Sequence, residues 1–120
     1  MKKLGEIAAF KHASRGIIDA YRRERHMRFH FFAAILVVLA AIVLNINAME
    51  WIAILIVIGC MLALEMMNSA IEAVVDKVSP EIHPIAKYVK DVAAGAVLIM
   101  AIIAAVVGII IFLPKIMALF

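Results

Sequence analysis

Glu65, Asn68, Glu72 and Asp76 follow one another at intervals of three, four and four residues. On an α-helix, at about 100° per residue, they fall within an arc of roughly 80°, with Ser69 on the same stripe. Three of the chain's nine acidic residues share this face, and the Glu65–Asp76 segment contains no Lys or Arg. Hard divalent cations take carboxylate oxygens of this kind and bring phosphates with them. A carboxylate at the deep end of the stripe, short of water, can accept a proton from an alcohol. Carboxylates cannot bind a nucleotide unaided, and Lys90 is placed to supply a countercharge. Together these parts suit phosphoryl transfer to a hydroxyl. Taken alone, the residues reach a cation-dependent acidic site and stop short of a kinase.

The elements that must carry this stripe are apolar. Of 120 residues, 68% are hydrophobic, and the mean hydropathy is +1.11. A globular domain of ordinary composition holds roughly 45–50% apolar residues, and one this small could not bury the excess. The bilayer is therefore its solvent. Three runs emerge: Phe31 to Leu44, Trp51 to Leu64 with polar interruptions to Ile71, and Val92 to Leu113. With flanking residues they give spans of about 29–48, 50–72 and 92–113, each near the roughly 20 residues that a helix needs to cross. The fold class is all-α integral membrane, one domain over 1–120. Counting from Trp51, Glu65 comes after about 14 residues, or roughly 21 Å into a core about 30 Å thick. Ionisable groups at such depth are costly and mark function. Glu72 and Asp76 then step out toward water.

Basic residues orient the spans. Lys2, Lys3, Lys11, Arg15, Arg22, Arg23, Arg25 and Arg28 precede the first span, and Lys77, Lys87 and Lys90 lie between the second and third. The Asn45–Glu50 turn has none, and Lys115 alone follows the third span. The positive-inside rule places the N-terminus and the acidic site in the cytoplasm. Before the spans, Leu4, Ile7, Phe10, Ala13, Ile17 and Tyr21 recur at helical steps among cations. That pattern predicts an amphipathic surface helix over about 4–26. A purely tethering role on anionic lipid is the competing reading of this helix, and Glu24 is the residue that does not fit it. Ser79-Pro80-Glu81-Ile82-His83-Pro84 breaks the chain between spans two and three, and a helix resumes near Ile85. Ala101, Ala105 and Gly108 allow close helix packing, within one subunit or between copies.

Other chemistries are excluded or unsupported. Cys60 is the one cysteine, so there is neither an intrachain disulfide nor a C-x-x-C pair. Neither Gly-rich nucleotide signature is present. His12, His26, His30 and His83 lack metal-site spacing and read as structural or interfacial. The net charge of +3 follows the membrane topology and does not point to nucleic acid. A solvated helix end pairing with Lys77 or the surface-helix arginines would explain Glu72 and Asp76, but not Glu65 and Asn68 inside a span. A small proton-coupled transporter would place its acid deeper and usually has a fourth span. A non-enzymatic subunit recruiting a basic partner would bind no nucleotide.

The run Glu65-x-x-Asn68-Ser69-Ala70-Ile71-Glu72-x-x-Val75-Asp76, followed by His83 and by Lys90-Asp91 entering an alanine-rich span, strongly resembles the prokaryotic diacylglycerol kinase family. The likeness extends from Phe10 to Phe112. It implies a homotrimer of three-span subunits in the bacterial cell membrane, with composite sites at the cytoplasmic interface, using Mg2+ and ATP to phosphorylate a lipid alcohol. By that resemblance Glu65 is the general base with Asn68 beside it, and Glu24 and Glu72 hold the metal. Glu72, Asp76, Glu81, His83, Lys90 and Asp91 surround the nucleotide, while Glu65, Asn68 and Ala94 meet the lipid. The stretches Glu24-Arg25-x-Met27-Arg28-x-His30, Ser79-Pro80-Glu81-x-His83-Pro84 and Ala86-Lys87-x-x-Lys90-Asp91-Val92-Ala93-Ala94-Gly95-Ala96-Val97 look like the Gram-positive branch, similar to undecaprenol kinases. The diacylglycerol-specific branch carries a serine where Ala94 stands and a basic residue where Gly5 stands. Undecaprenol is therefore the expected acceptor, with diacylglycerol as runner-up.

Overall fold

The chain forms four helices: α1 (Lys2–Arg23), α2 (Arg25–Val43), α3 (Ala48–Val78) and α4 (Pro84–Met117). A computed structural model describes residues 2–120, with side chains from Gly5 onward, so the side chain of Leu4 lies outside the described residues. Helices α2, α3 and α4 are each long and apolar enough to cross a membrane. α3 packs most extensively on α4, and also against α2 and α1.

Local chemistry sets each helix end. Between α1 and α2, Glu24 is extended at φ −107° and ψ 119°, so the first helix ends at Arg23, short of the 26 expected from the apolar repeat. Arg28 stabilises this break by donating from one guanidinium nitrogen to the Tyr21 and Arg22 carbonyls, at 3.0 and 2.8 Å. Those carbonyls belong to the last turn of α1 and have no partner within the helix. Met27, fully buried, fills the junction.

The hairpin joining α2 to α3 is tighter than the Asn45–Glu50 turn read from sequence. Asn45 takes φ +53°, a left-handed conformation that Asn tolerates better than most residues. Asn47 then caps α3. Its Oδ1 accepts from the Glu50 amide at 2.9 Å, while Glu50 Oε1 accepts from the Asn47 amide at 3.0 Å. Glu50 is thus already in the first turn of α3. Its carboxylate also meets Lys115 Nζ at 3.0 Å, tying this end of α3 to the end of α4. The buried cluster Ala41, Ile46, Ile54 and Ile111 lies at the same end.

At the opposite end α3 outruns its apolar stretch. Its 31 residues give about 46 Å of helix, beyond a hydrocarbon core of about 30 Å. The helix continues to Val78, so Glu65 through Asp76 stand on one unbroken rod. After Ser79 the chain turns, and His83 caps α4 with Nδ1 accepting from the Ile85 amide at 3.1 Å. Pro84 occupies the first turn, where its missing N–H costs nothing.

Candidate active site

Glu65 is the one charged side chain that the described residues bury, at 6% exposure. It sits on α3 where the apolar stretch gives way to the acidic stripe. Across from it on α2, His30 brings Nε2 to 3.5 Å from Glu65 Oε2. In the sequence His30 is one of four scattered histidines. Its one legible signal was position, because it is the first polar side chain before the apolar run of α2.

One turn along α3, Asn68 donates from Nδ2 to Glu72 Oε1 at 3.4 Å. Its Oδ1 is buried and has no hydrogen-bond partner. Orphaned buried acceptors are rare, and each calls for a reason, such as a site kept for a ligand. Ser69, on the neighbouring position, donates to Glu24 Oε1 at 3.1 Å. The break after α1 therefore delivers the Glu24 carboxylate to the same stripe of α3. Glu24 and Glu72 are both half-buried.

Among the described residues no group of three or more His, Cys, Asp or Glu side chains is gathered as a metal cage. Mg2+ does not ask for one: it keeps several waters and is held by one or two carboxylates together with substrate phosphates. Glu24, held by Ser69, and Glu72, held by Asn68, are carboxylates of the type that could supply those one or two oxygens, so the donor chemistry fits the ion.

A second cavity opens beyond the end of α3. Asp76, Glu81, His83, Lys90 and Asp91 line it, with Ser79, Pro80 and Lys87. Asp76 forms an ion pair with Lys90 of α4 rather than with Lys77, its neighbour in sequence. The hydrogen bond that Lys90 donates to Asp76 holds its ammonium above its ordinary pKa, helped by the charges of Asp76 and Glu72. Lys87 is raised in the same way by its hydrogen bond to Asp91, at 2.5 Å. Both ammonium groups lie outside the Val92–Leu113 apolar run. Ser79 donates to the Glu81 carbonyl at 3.2 Å, shaping the rim. The capping bond of His83 uses Nδ1, which leaves Nε2 as the ring atom that can turn to a ligand.

A third feature is an apolar groove running from Phe29 and His30 between α2, α3 and α4. Ala33, Ala34, Ala101, Ala104 and Gly108 keep it open by their small size. The structure therefore joins Glu65, Asn68, Glu72 and Glu24 at one locus, and Asp76, Glu81, His83, Lys90 and Asp91 at another. Ala94 joins neither. It is exposed on α4 and lines neither the groove nor the second cavity.

Residues 11–112 match the family described as prokaryotic diacylglycerol kinase. The undecaprenol kinase of Bacillus subtilis is 44% identical over 107 residues, covering 89% of this chain and 87% of that protein. A diacylglycerol kinase of Synechocystis is 38% identical over 115 residues, 94% of this chain and 65% of its own length. The diacylglycerol kinase of Escherichia coli K12 is 32% identical over 100 residues, covering 83% and 82%. A proton-coupled transporter is not favoured by these relatives.

Proposed function

The chain belongs to the prokaryotic diacylglycerol kinase family and is a lipid kinase, and from that premise we propose that it transfers the γ-phosphate of ATP to undecaprenol, with diacylglycerol as secondary acceptor. The preference for undecaprenol rests on the 44% identity to an undecaprenol kinase and on the Gram-positive character of the loop and of Ala94. The observation that carries the site reading is the buried Glu65 beside the unpartnered Oδ1 of Asn68, at the His30 end of an apolar groove.

In this reading the lipid tail lies in the groove and the hydroxyl arrives at Asn68 Oδ1. Glu65 takes the hydroxyl proton as the oxygen bonds to the γ-phosphorus and the bond from phosphorus to the ADP oxygen breaks. Lys90, kept cationic by Asp76, meets the phosphates, and Asp76, Glu81, His83 and Asp91 surround the nucleotide. Glu24 and Glu72 would hold Mg2+, which when bound draws charge from the phosphate oxygens. The cytoplasm supplies ATP to this end, in keeping with the Lys and Arg bias, and α1 lies on that membrane surface as an amphipathic helix. The exposed apolar faces of α2–α4 and the exposed Ala94 suit a homotrimer in which a neighbouring copy helps complete the lipid site.

The test uses the full chain in mixed micelles with Mg-ATP and either acceptor. Glu65→Gln should lower turnover by about 100-fold or more, the scale of a lost general base, while the oligomer stays folded. Full activity in that variant would remove Glu65 from the role.

A further inference from the structure

We infer that His30 is the positioning residue of the base: its Nε2–H holds Glu65 Oε2, leaving the other carboxylate oxygen turned toward the acceptor hydroxyl. The inference rests on Glu65 being the base. It begins from the 3.5 Å separation of His30 Nε2 and Glu65 Oε2, two side chains that are 16% and 8% exposed. Among the described residues no hydrogen bond reaches the Glu65 carboxylate, and His30 is the one side chain within ion-pair distance of it. A bare ring nitrogen facing a carboxylate oxygen would be repulsive, so the proton belongs on Nε2. At 3.5 Å the contact is longer than a good hydrogen bond. Contacts of this kind tighten when substrate closes the site, and here a small rotation of either side chain suffices.

The surroundings explain why such a group is needed. His30 forms the polar end of the apolar groove, with Phe29, Ala33 and Met61 beyond it. Its ring stands edge-on to Phe29, with centroids 5.6 Å apart. A carboxylate at the mouth of an apolar groove has few fixed dipoles to set its direction. A base must be aimed at the proton it takes, and a misplacement of about 1 Å costs on the order of 100-fold in rate. His30 supplies the aim from a different helix, so α2 and α3 must be in register for the reaction.

The test compares His30→Leu with His30→Gln in the full chain, because the two side chains have similar size and differ in the amide donor. His30→Leu should lose roughly 10- to 100-fold in kcat, the usual cost of removing a group that orients a functional side chain, with KM for the lipid alcohol little changed. His30→Gln should recover most of that loss. Equal loss in both variants, a loss confined to KM, or no loss in either would overturn the inference. Should His30→Leu fail to fold, nitrogen-15 spectra of the histidine-labelled chain decide independently. His30 should carry its proton on Nε2, and that resonance should move in Glu65→Gln, whereas a proton on Nδ1 or an unmoved resonance overturns the inference. Full activity in Glu65→Gln would instead defeat the base assignment itself, which keeps the two failures apart.

Discussion

Asn68→Leu separates a ligand-holding amide from a structural one, because the two roles predict opposite changes in stability. Asn68 Oδ1 is buried without a partner, a state that costs about 1–3 kcal/mol in the absence of ligand. The other half of the amide makes a single bond to Glu72 at 3.4 Å, long enough that its loss should cost about 0.5 kcal/mol. Leucine keeps the same branched skeleton, is somewhat bulkier and has no polar atom. Folded stability should therefore hold or rise, by up to about 2 kcal/mol, when the orphan is removed. Activity should move the other way. A hydrogen bond to the acceptor hydroxyl worth about 1–3 kcal/mol corresponds to roughly a 5- to 150-fold fall in kcat/KM. Denaturant unfolding in micelles, read beside ATP-dependent phosphorylation of undecaprenol, gives both numbers. A clear loss of stability with kcat/KM unchanged would refute the reasoning, since Oδ1 would then have had a structural partner.

Other outcomes follow from the same contacts. Because the Asp76 bond raises the Lys90 pKa, the ammonium stays charged beyond about pH 10.4, the value of a free lysine. The KM for ATP should then be flat across neutral and mildly alkaline pH, and Asp76→Asn should bring its alkaline rise to lower pH, as steady-state titration would record. Ser69→Ala releases Glu24 and should raise the Mg2+ concentration needed for half-maximal rate with little change in the saturated rate, measured by metal titration. At the far hairpin, Asn47→Ala removes the α3 cap and should cost about 1 kcal/mol in unfolding while leaving turnover alone.

Several of these contacts could not be read from sequence, for a geometrical reason. Helical periodicity fixes the direction in which a side chain points around its own axis, which is why Glu65, Asn68, Glu72 and Asp76 were legible as one stripe. It carries nothing about the axial offset between helices. The contact of His30 with Glu65, of Glu24 with Ser69, and of Asp76 with Lys90 in place of Lys77 all depend on that offset. Membrane spans and helix bounds differ for a related reason. Apolar runs report the thickness of the bilayer, while the helices continue past it, α3 to Val78 and α4 back to Pro84. The prolines and Ser79 marked the loop between them correctly, because their backbone restrictions are local.

The distribution of packing along the bundle bears on how a lipid enters. At the hairpin end, the Asn47 cap, the Glu50–Lys115 pair and the Ala41, Ile46, Ile54 and Ile111 cluster lock α2, α3 and α4 together. At the site end, the contacts between helices are largely polar and half-exposed: Ser69 to Glu24, Lys90 to Asp76, Arg28 to the end of α1. Such contacts contribute little individually and exchange readily with water or ligand. A bundle packed tightly along its whole length would close the groove lined by Ala33, Ala34, Ala101, Ala104 and Gly108. With its main buried apolar cluster at one end, the chain holds helix register there, while the polar contacts at the other end can part to admit a lipid tail.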